Sequence, residues 1–421
     1  MATPARGRPV KAGQCKPSQA PGGTPCARNA TCNAGTCGYP TTKPGAFSGG
    51  AATCATDGAT GELWCWGKNA EGTVGDGTTT LRKTRVLVTL PGKARDVAAG
   101  DKATCAVVDV QGERTLWCWG RNAGYVAGGA VDDALLLKPV QVAGSTGASA
   151  VCVGERHTCL LDDDGRVRCF GDAADERLGN AFATSSPIPR YVQGLNEVVS
   201  LACARATTCA RRRDGSVVCW GANNVGQLGR GSTGAGQRAT AAVQGLAAIN
   251  GLDAGRGDHI CAKVGNNVHC WGHNGHGQLG DGTTLHRSTP VLAKVYEAAA
   301  RFAVGRINTC AVNFRHATYD SNSSKTFALQ CWGEGANGQN GNGSLATLLK
   351  PTTNYYVQGK NIAESNWVTG FESGTQALGD FDRTPCARTG NELYCWGYGA
   401  DGNVGNDQTS DRTLRARVHG F

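Results

Sequence analysis

The sequence predicts an all-β fold of seven radially stacked units, and three observations point to it. The first is a triplet of cysteine, aromatic residue and glycine that begins at Cys65, Cys118, Cys169, Cys219, Cys270, Cys331 and Cys395. The first five copies lie 53, 51, 50 and 51 residues apart, and the last two intervals are 61 and 64. A period near fifty marks stacked supersecondary units that bury their apolar faces against neighbours. The second is an upstream cysteine in every copy, at Cys54, Cys105, Cys159, Cys209, Cys261, Cys310 and Cys386. The third is the alternation of faces: strand side chains alternate, so the aromatic residue points away from the sulfur beside it. Each unit then has a sulfur face and an aromatic face, and radial packing covers both.

Within each unit, short apolar runs flank a glycine turn, as between Cys209 and Cys219, where Asp214 and Gly215 part Arg213 from Val217. That pattern is a β-hairpin. Opposed Cα atoms of an antiparallel pair lie about 4.5 to 5.5 Å apart, within the span of a disulfide. Seven hairpin disulfides are expected, one per unit. Alanine follows six of the seven upstream cysteines, at Ala55, Ala106, Ala210, Ala262, Ala311 and Ala387. The third unit instead pairs Leu160 with Phe170 in place of tryptophan, a larger aliphatic beside a smaller ring. Dense packing favours such compensation.

Glycine-punctuated loops follow the triplets, clearest in Asn223 to Gly229 and in Asn274 to Gly280, with Cys270-Trp271-Gly272 before the latter and Asp281-Gly282-Thr283 after it. These segments resemble repeats of the regulator of chromosome condensation type. The resemblance covers residues 46–421 and implies a seven-bladed β-propeller. It also implies two contrasting settings: a founding member that is a nuclear exchange factor, and a secreted bacterial member that inhibits β-lactamases. The paired cysteines place this chain nearer the second, because cytosolic proteins rarely keep disulfides. The partner-binding residues of the founding member have no counterparts here, since the shared positions are scaffold glycines and aromatics.

Six cysteines lie outside the hairpin pairs. Cys152 and Cys203 precede Cys159 and Cys209 at equivalent places in successive repeats, on what should be inner strands of adjacent blades. They are read as a bridge between blades three and four, the alternative being two buried thiols. Cys15, Cys26, Cys32 and Cys37 sit in a Pro-, Gly- and Thr-rich stretch, read as a small disulfide knot on a flexible leader over 1–45 ahead of a propeller over 46–421. Three connectivities are open. A zinc site is the alternative, but no pair has the Cys-x-x-Cys spacing such sites favour. At the other end, Arg415 to Phe421 reads as the approach to an inner strand that residues 46 to 54 supply, so the termini are expected to share one composite blade. Such closure removes edges open to strand addition.

The function classes are narrowed mainly by exclusion. The chain has 421 residues, 62 glycines and 14 prolines, and its mean hydropathy is −0.30. No apolar stretch is long enough for a membrane helix. Met1 to Gln14 shows no apolar core of a signal peptide, although the cysteines point to an extracellular or cell-surface setting. Neither a Gly-x-Ser-x-Gly elbow nor a His-Glu-x-x-His pattern occurs, and the glycine runs lead between strands and not into phosphate-cradling helices. No enzyme activity and no cofactor are expected. Histidines gather at 259, 269, 273, 276 and 286 without a standard ligand spacing, and Asp162-Asp163-Asp164-Gly165 reads as a hairpin turn, so no metal is expected. The net charge of +9 is mild, and Arg211, Arg212 and Arg213 alternate between strand faces, which disfavours nucleic acid.

What remains is a binding module for a protein or a surface glycan. The alternatives are an inhibitor of a hydrolase such as a β-lactamase, or a self-assembling structural subunit. Binding concentrates on loops of rigid scaffolds. Two insertions are therefore the candidate loops, one carrying Tyr319, Asp320 and Asn322, the other Phe371, Glu372 and Phe381, and they are expected to emerge on opposite faces.

Overall fold

The computed structural model describes residues 25–26, 30–33, 36–38, 44–180, 184–238, 241–295, 299–315, 326–358, 384–389 and 392–418. Pro25–Cys26, Ala30–Asn33 and Thr36–Gly38 pair as a small antiparallel sheet. All the rest is propeller, and its regular elements are strands apart from two single 3-10 turns.

Six four-stranded antiparallel blades follow, each ordered from an inner to an outer strand as the chain runs. Blade one is Pro44–Gly49, Ala52–Asp57, Leu63–Gly67 and Arg82–Val88. Blade two is Lys93–Ala99, Ala103–Val110, Glu113–Arg121 and Leu135–Gln141. Blade three is Ala148–Val153, His157–Asp162, Val167–Gly171 and Ser186–Tyr191. Blade four is Val198–Cys203, Thr207–Arg212, Val217–Asn223 and Gly234–Gln237. Blade five is Ile249–Ala254, His259–Val264, Asn267–Gly272 and Arg287–Leu292. Blade six is Ala299–Val304, Asn308–Arg315, Thr326–Gly333 and Leu348–Gln358.

The expected seven blades become six complete ones. The seventh repeat forms a sheet of three strands, Cys386–Thr389, Glu392–Gly397 and Arg412–Arg417. The positions ahead of it, 359–383, lie outside the described residues. The composite blade is also corrected. Residues 44–88 build all four strands of blade one, and Arg412–Arg417 pairs within its own repeat. The ring closes by side-chain packing instead, where Trp66 and Ala55 of blade one share a core with Leu393, Val404 and Val418.

One contact recurs at nearly every junction. The buried tryptophan of one blade donates its indole N–H to a carbonyl in the preceding repeat's long loop: Trp119 to Thr73 at 2.8 Å, Trp220 to Arg177 at 3.1 Å, Trp271 to Gln227 at 2.8 Å, Trp332 to Gln278 at 2.8 Å and Trp396 to Gln339 at 2.9 Å. Trp66 reaches Asn403 at 2.9 Å, which joins the first repeat to the last. Phe170 has no N–H to offer; there the Thr158 hydroxyl alone donates to Val126 O at 2.7 Å, as Thr104 and Thr309 donate to Thr73 O and Gln278 O beside their tryptophans. A buried donor left unmade is costly, so a tryptophan inside a packed ring keeps its partner. The glycine that ends each long loop admits the ring. A Cβ on Gly75, whose φ is +79°, would lie 2.6 Å from the Trp119 indole nitrogen.

Upstream and downstream cysteines stand directly opposite each other on the second and third strands. Their bonds are Cys54–Cys65, Cys105–Cys118, Cys159–Cys169, Cys209–Cys219, Cys261–Cys270, Cys310–Cys331 and Cys386–Cys395, with Cα separations of 4.0 to 4.1 Å. Cys152 of blade three is bonded to Cys203 of blade four across a Cα separation of 5.4 Å. The pairing of Cys15, Cys26, Cys32 and Cys37 lies outside what the described residues cover. Outer strands are edges, and their prolines are placed as edges require: Pro139, Pro187, Pro189, Pro290 and Pro351 all fall on them. The outer strand of blade one carries Arg82, Lys83 and Arg85 instead.

Candidate interaction surface

Strand direction divides the loops between two ends of the ring. The loops joining first to second strands, and those joining third to outer strands, share one end. The hairpins between second and third strands, and the connections between blades, share the other.

At the first end the short loops approach one another closely, because their residues are glycine or alanine: Gly50, Gly100, Gly154, Ala204, Gly255 and Gly305. A Cβ on Gly255 would fall 1.8 Å from Gly305 O. Backbone bonds link the loops, Ala51 N to Gly100 O at 3.2 Å, Glu155 N to Arg205 O at 2.9 Å and Arg205 N to Gly257 O at 3.1 Å. Five of the six are followed by a charged residue, Asp101, Glu155, Arg205, Arg256 and Arg306, and Gly50 is followed by Ala51. Arg256 of blade five, its side chain 5% exposed, pairs with Asp101 of blade two, a contact between blades that are not neighbours. Its guanidinium therefore lies across the mouth of the central channel. Arg205 pairs with Glu155 at 2.9 Å and with Asp258 at 3.5 Å, and Arg156 pairs with Asp172 at 2.8 Å. Exposed ion pairs add little stability, so this network matters more as a charged, adaptable surface.

Further out on the same end, the long loops present aliphatic side chains to solvent. Val131 is 67% exposed, Leu285 63%, Leu345 57% and Leu81 36%. Leu81 and Val131 lie on consecutive blades, as do Leu285 and Leu345. The loops that carry them are rigid, each held by a buried asparagine. Asn274 Oδ1 accepts from Leu279 N at 2.9 Å while Nδ2 donates to Thr283 O at 3.0 Å, and Asn69 and Asn122 make equivalent bonds. Asp281 then fixes Arg287 at 2.7 Å, as Asp76 fixes Arg82.

The blade-five histidines divide between scaffold and surface. His259 is buried, its Nε2 3.0 Å from the Thr309 hydroxyl, and burial pushes its pKa down to about 3. His273 and His286 stack with ring centroids 4.6 Å apart on the loop face. The Nδ1 of His273 accepts from Gln278 Nε2 at 2.7 Å and that of His286 accepts from Asn274 N at 3.0 Å. Burial lowers His273, with a further push from the His286 charge. Among the described residues these side chains form no metal-ligand group with other His, Cys, Asp or Glu.

The candidate binding residues Tyr319, Asp320, Asn322, Phe371, Glu372 and Phe381 all lie outside the described residues. The point of departure of the first insertion does not. Arg315 pairs with Thr326, so the first insertion leaves blade six at the hairpin end. The outer strand of blade six also ends on that side, at Gln358, opposite Thr326, and the second insertion lies among the positions 359–383 outside the described residues. Arg256, Val131, Leu285 and Leu345 were not singled out by sequence reasoning. The recurrence of a small residue and then a charged one before five of the upstream cysteines, from Gly100-Asp101 to Gly305-Arg306, was the available signal.

Comparison with known proteins bears on this geometry. Models of the regulator of chromosome condensation (RCC1) repeat match residues 60–107, 148–175, 198–227 and 266–312. The human E3 ubiquitin-protein ligase HERC2 is 31% identical over 278 residues, which is 63% of this chain and 6% of the ligase. The ultraviolet-B receptor UVR8 of Arabidopsis thaliana is 29% identical over 244 residues, 56% of this chain and 54% of the receptor. Among solved structures, human WBSCR16 superimposes with a TM-score of 0.68 at 19% identity, over 85% of this chain and 93% of that one. Prp20p of Saccharomyces cerevisiae gives 0.59 at 20% identity, over 73% and 76%. At these identities the structural likeness is one of fold. The chain spans a small part of the ligase and about half of the receptor.

Proposed function

Because the chain belongs to the family of RCC1 repeat proteins, we propose that it is a non-enzymatic protein-binding propeller that works outside the cytosol and meets its partner through the loop end of the ring. The observation that carries this reading is the set of exposed aliphatic side chains, Leu81, Val131, Leu285 and Leu345, on rigid loops around a charged channel mouth. Apolar anchors on a preformed scaffold are what a partner protein desolvates. The relative Prp20p is described with binding to Gsp1p and histones, which supports protein recognition as the activity of such a propeller. The ligase activity of HERC2 belongs to a chain of which this one spans 6%.

On this reading the seventh repeat completes the ring as a blade, the leader over 1–45 is separate from the propeller over 46–421, and the disulfides reflect an oxidising compartment. No helix among the described residues is long and apolar enough to cross a membrane, a fact that leaves β-barrels aside. A surface glycan, a hydrolase to be inhibited and a second copy of the chain are the other occupants to be weighed.

The test is site-specific photocrosslinking in the native compartment. A crosslinker at Leu285 or Val131 should trap a protein, and one at Asp164, on the hairpin end, should not. Trapping from Asp164 alone would move the site to the hairpin end, where the insertion after Arg315 leaves.

A further inference from the structure

The junction of blades three and four concentrates more metal-binding chemistry than any equivalent place among the described residues. Cys152, Cys159 and Cys169 stand in one row, each opposite the next across three strands. Cys203 faces them from the inner strand of blade four. Ligating atoms of His157, Cys159 and Cys203 all lie within 4.8 Å of one another, and all three residues are buried. The equivalent junction between blades five and six keeps the histidine and threonine, His259 and Thr309, but sets Asp253 and Ala303 opposite the upstream cysteines. The extra sulfurs are thus peculiar to one junction and are not part of the repeat.

We propose that in the reduced chain this cluster is a structural zinc site, with Cys152, Cys159, Cys203 and His157 as ligands. Cys152 is the fourth ligand because it adjoins both other sulfurs, being bonded to Cys203 and paired opposite Cys159, whereas Cys169 is the cross-strand partner of Cys159 alone. Three thiolates and one imidazole make a closed tetrahedral set of the kind zinc takes in structural sites. Exposures of 0 to 4% for the four residues exclude the water that would otherwise fill a coordination position. Thr208 supplies an outer contact: its hydroxyl oxygen lies 3.7 Å from Cys159 Sγ, 3.6 Å from Cys203 Sγ and 2.7 Å from His157 Nε2, where it can orient all three.

The two states exclude each other, and the conversion balances. Two equivalents of an external dithiol, one for Cys152–Cys203 and one for Cys159–Cys169, each deliver two electrons and two protons to their bridge and are each oxidised to a cyclic disulfide. Zinc then binds three thiolates and neutral His157, releasing three protons, and Cys169 remains a thiol. One junction of the ring would thereby be crosslinked in either redox environment, by a disulfide in one and by a metal in the other.

The full chain, reduced with a dithiol and desalted without oxygen, is titrated with cobalt(II) as an optical probe and then with zinc(II). The expected result is a tetrahedral thiolate-cobalt spectrum that saturates at one equivalent, is displaced by zinc, and accompanies a β-sheet circular dichroism signal. Affinity should fall at least about tenfold in Cys203→Ser and in His157→Asn, and should hold in Cys219→Ser, which removes a sulfur from a hairpin with no third ligand. Absence of the tetrahedral spectrum, equal affinity in Cys203→Ser, or a reduced chain that stays unfolded with zinc present would each overturn the proposal.

Discussion

At the scale of single residues, the ring is fastened by side chains that the repeat makes easy to find and hard to interpret. The tryptophans were legible as an aromatic face, but their indole bonds were not, because the acceptors Thr73, Arg177 and Gln227 lie about forty-five residues back on another repeat. Blade three keeps only the threonine part of this contact, Thr158 to Val126 O, where Phe170 stands in place of the tryptophan. Trp119→Phe should therefore cost about 1 to 2 kcal/mol in urea unfolding, one hydrogen bond and a little volume, provided the slope of the transition is unchanged.

Buried ionisable residues act at the same scale. Burial holds His157 and His259 down to about 3 and raises Asp96 and Asp253 to about 7. The lowered imidazoles contribute stability that is complete above 6.5 and is lost as pH falls towards 3. The raised carboxyls contribute stability that is complete below 3.8 and is lost as pH rises through 7. Between 3.8 and 6.5 the two pairs oppose each other and largely offset. Replacing both imidazoles, by His157→Gln and His259→Gln, removes one side of that balance. The melting temperature of the variant relative to the parent should climb as pH drops from 6.5 towards 4, and a constant difference would refute the assignment.

At the scale of elements, the hairpins were the most legible part, because cysteine spacing and an Asp-Gly turn fix register together, as in Cys209 to Cys219. The outer strands were nearly invisible: Ser186–Tyr191 holds Pro187 and Pro189, residues that argue against a strand until it is known to be an edge. The crosslinks differ in leverage. A hairpin bridge closes about ten residues, worth about 3 kcal/mol of unfolded-chain entropy, whereas Cys152–Cys203, with a sequence separation of 51, is worth about 4 kcal/mol. The double variant Cys152→Ser, Cys203→Ser should thus lose more stability than Cys209→Ser, Cys219→Ser, as thermal unfolding under oxidising conditions can show. The reverse order would mean that strain at the junction outweighs the longer loop.

At the scale of the whole molecule, the repeat fixed the architecture but not its closure or its working face. A composite blade is a natural expectation for a ring whose ends must meet, yet Pro44–Gly49 precedes its own hairpin and leaves closure to Trp66 and Val418. The insertions drew attention by length, and the one after Arg315 leaves from the hairpin end. The opposite end carries its features in loops whose exposed aliphatic residues look unremarkable one at a time. Such a surface becomes visible only when blades are placed side by side, because loops far apart in sequence supply it.

The central claim is a propeller stapled for an oxidising compartment, and non-reducing peptide mapping of natively expressed protein, with free thiols alkylated before digestion, tests it most directly. The account predicts linked peptides for each hairpin from Cys54–Cys65 to Cys386–Cys395, together with Cys152–Cys203 joining blades three and four. Alkylated thiols throughout would contradict it and return the chain to a reducing compartment.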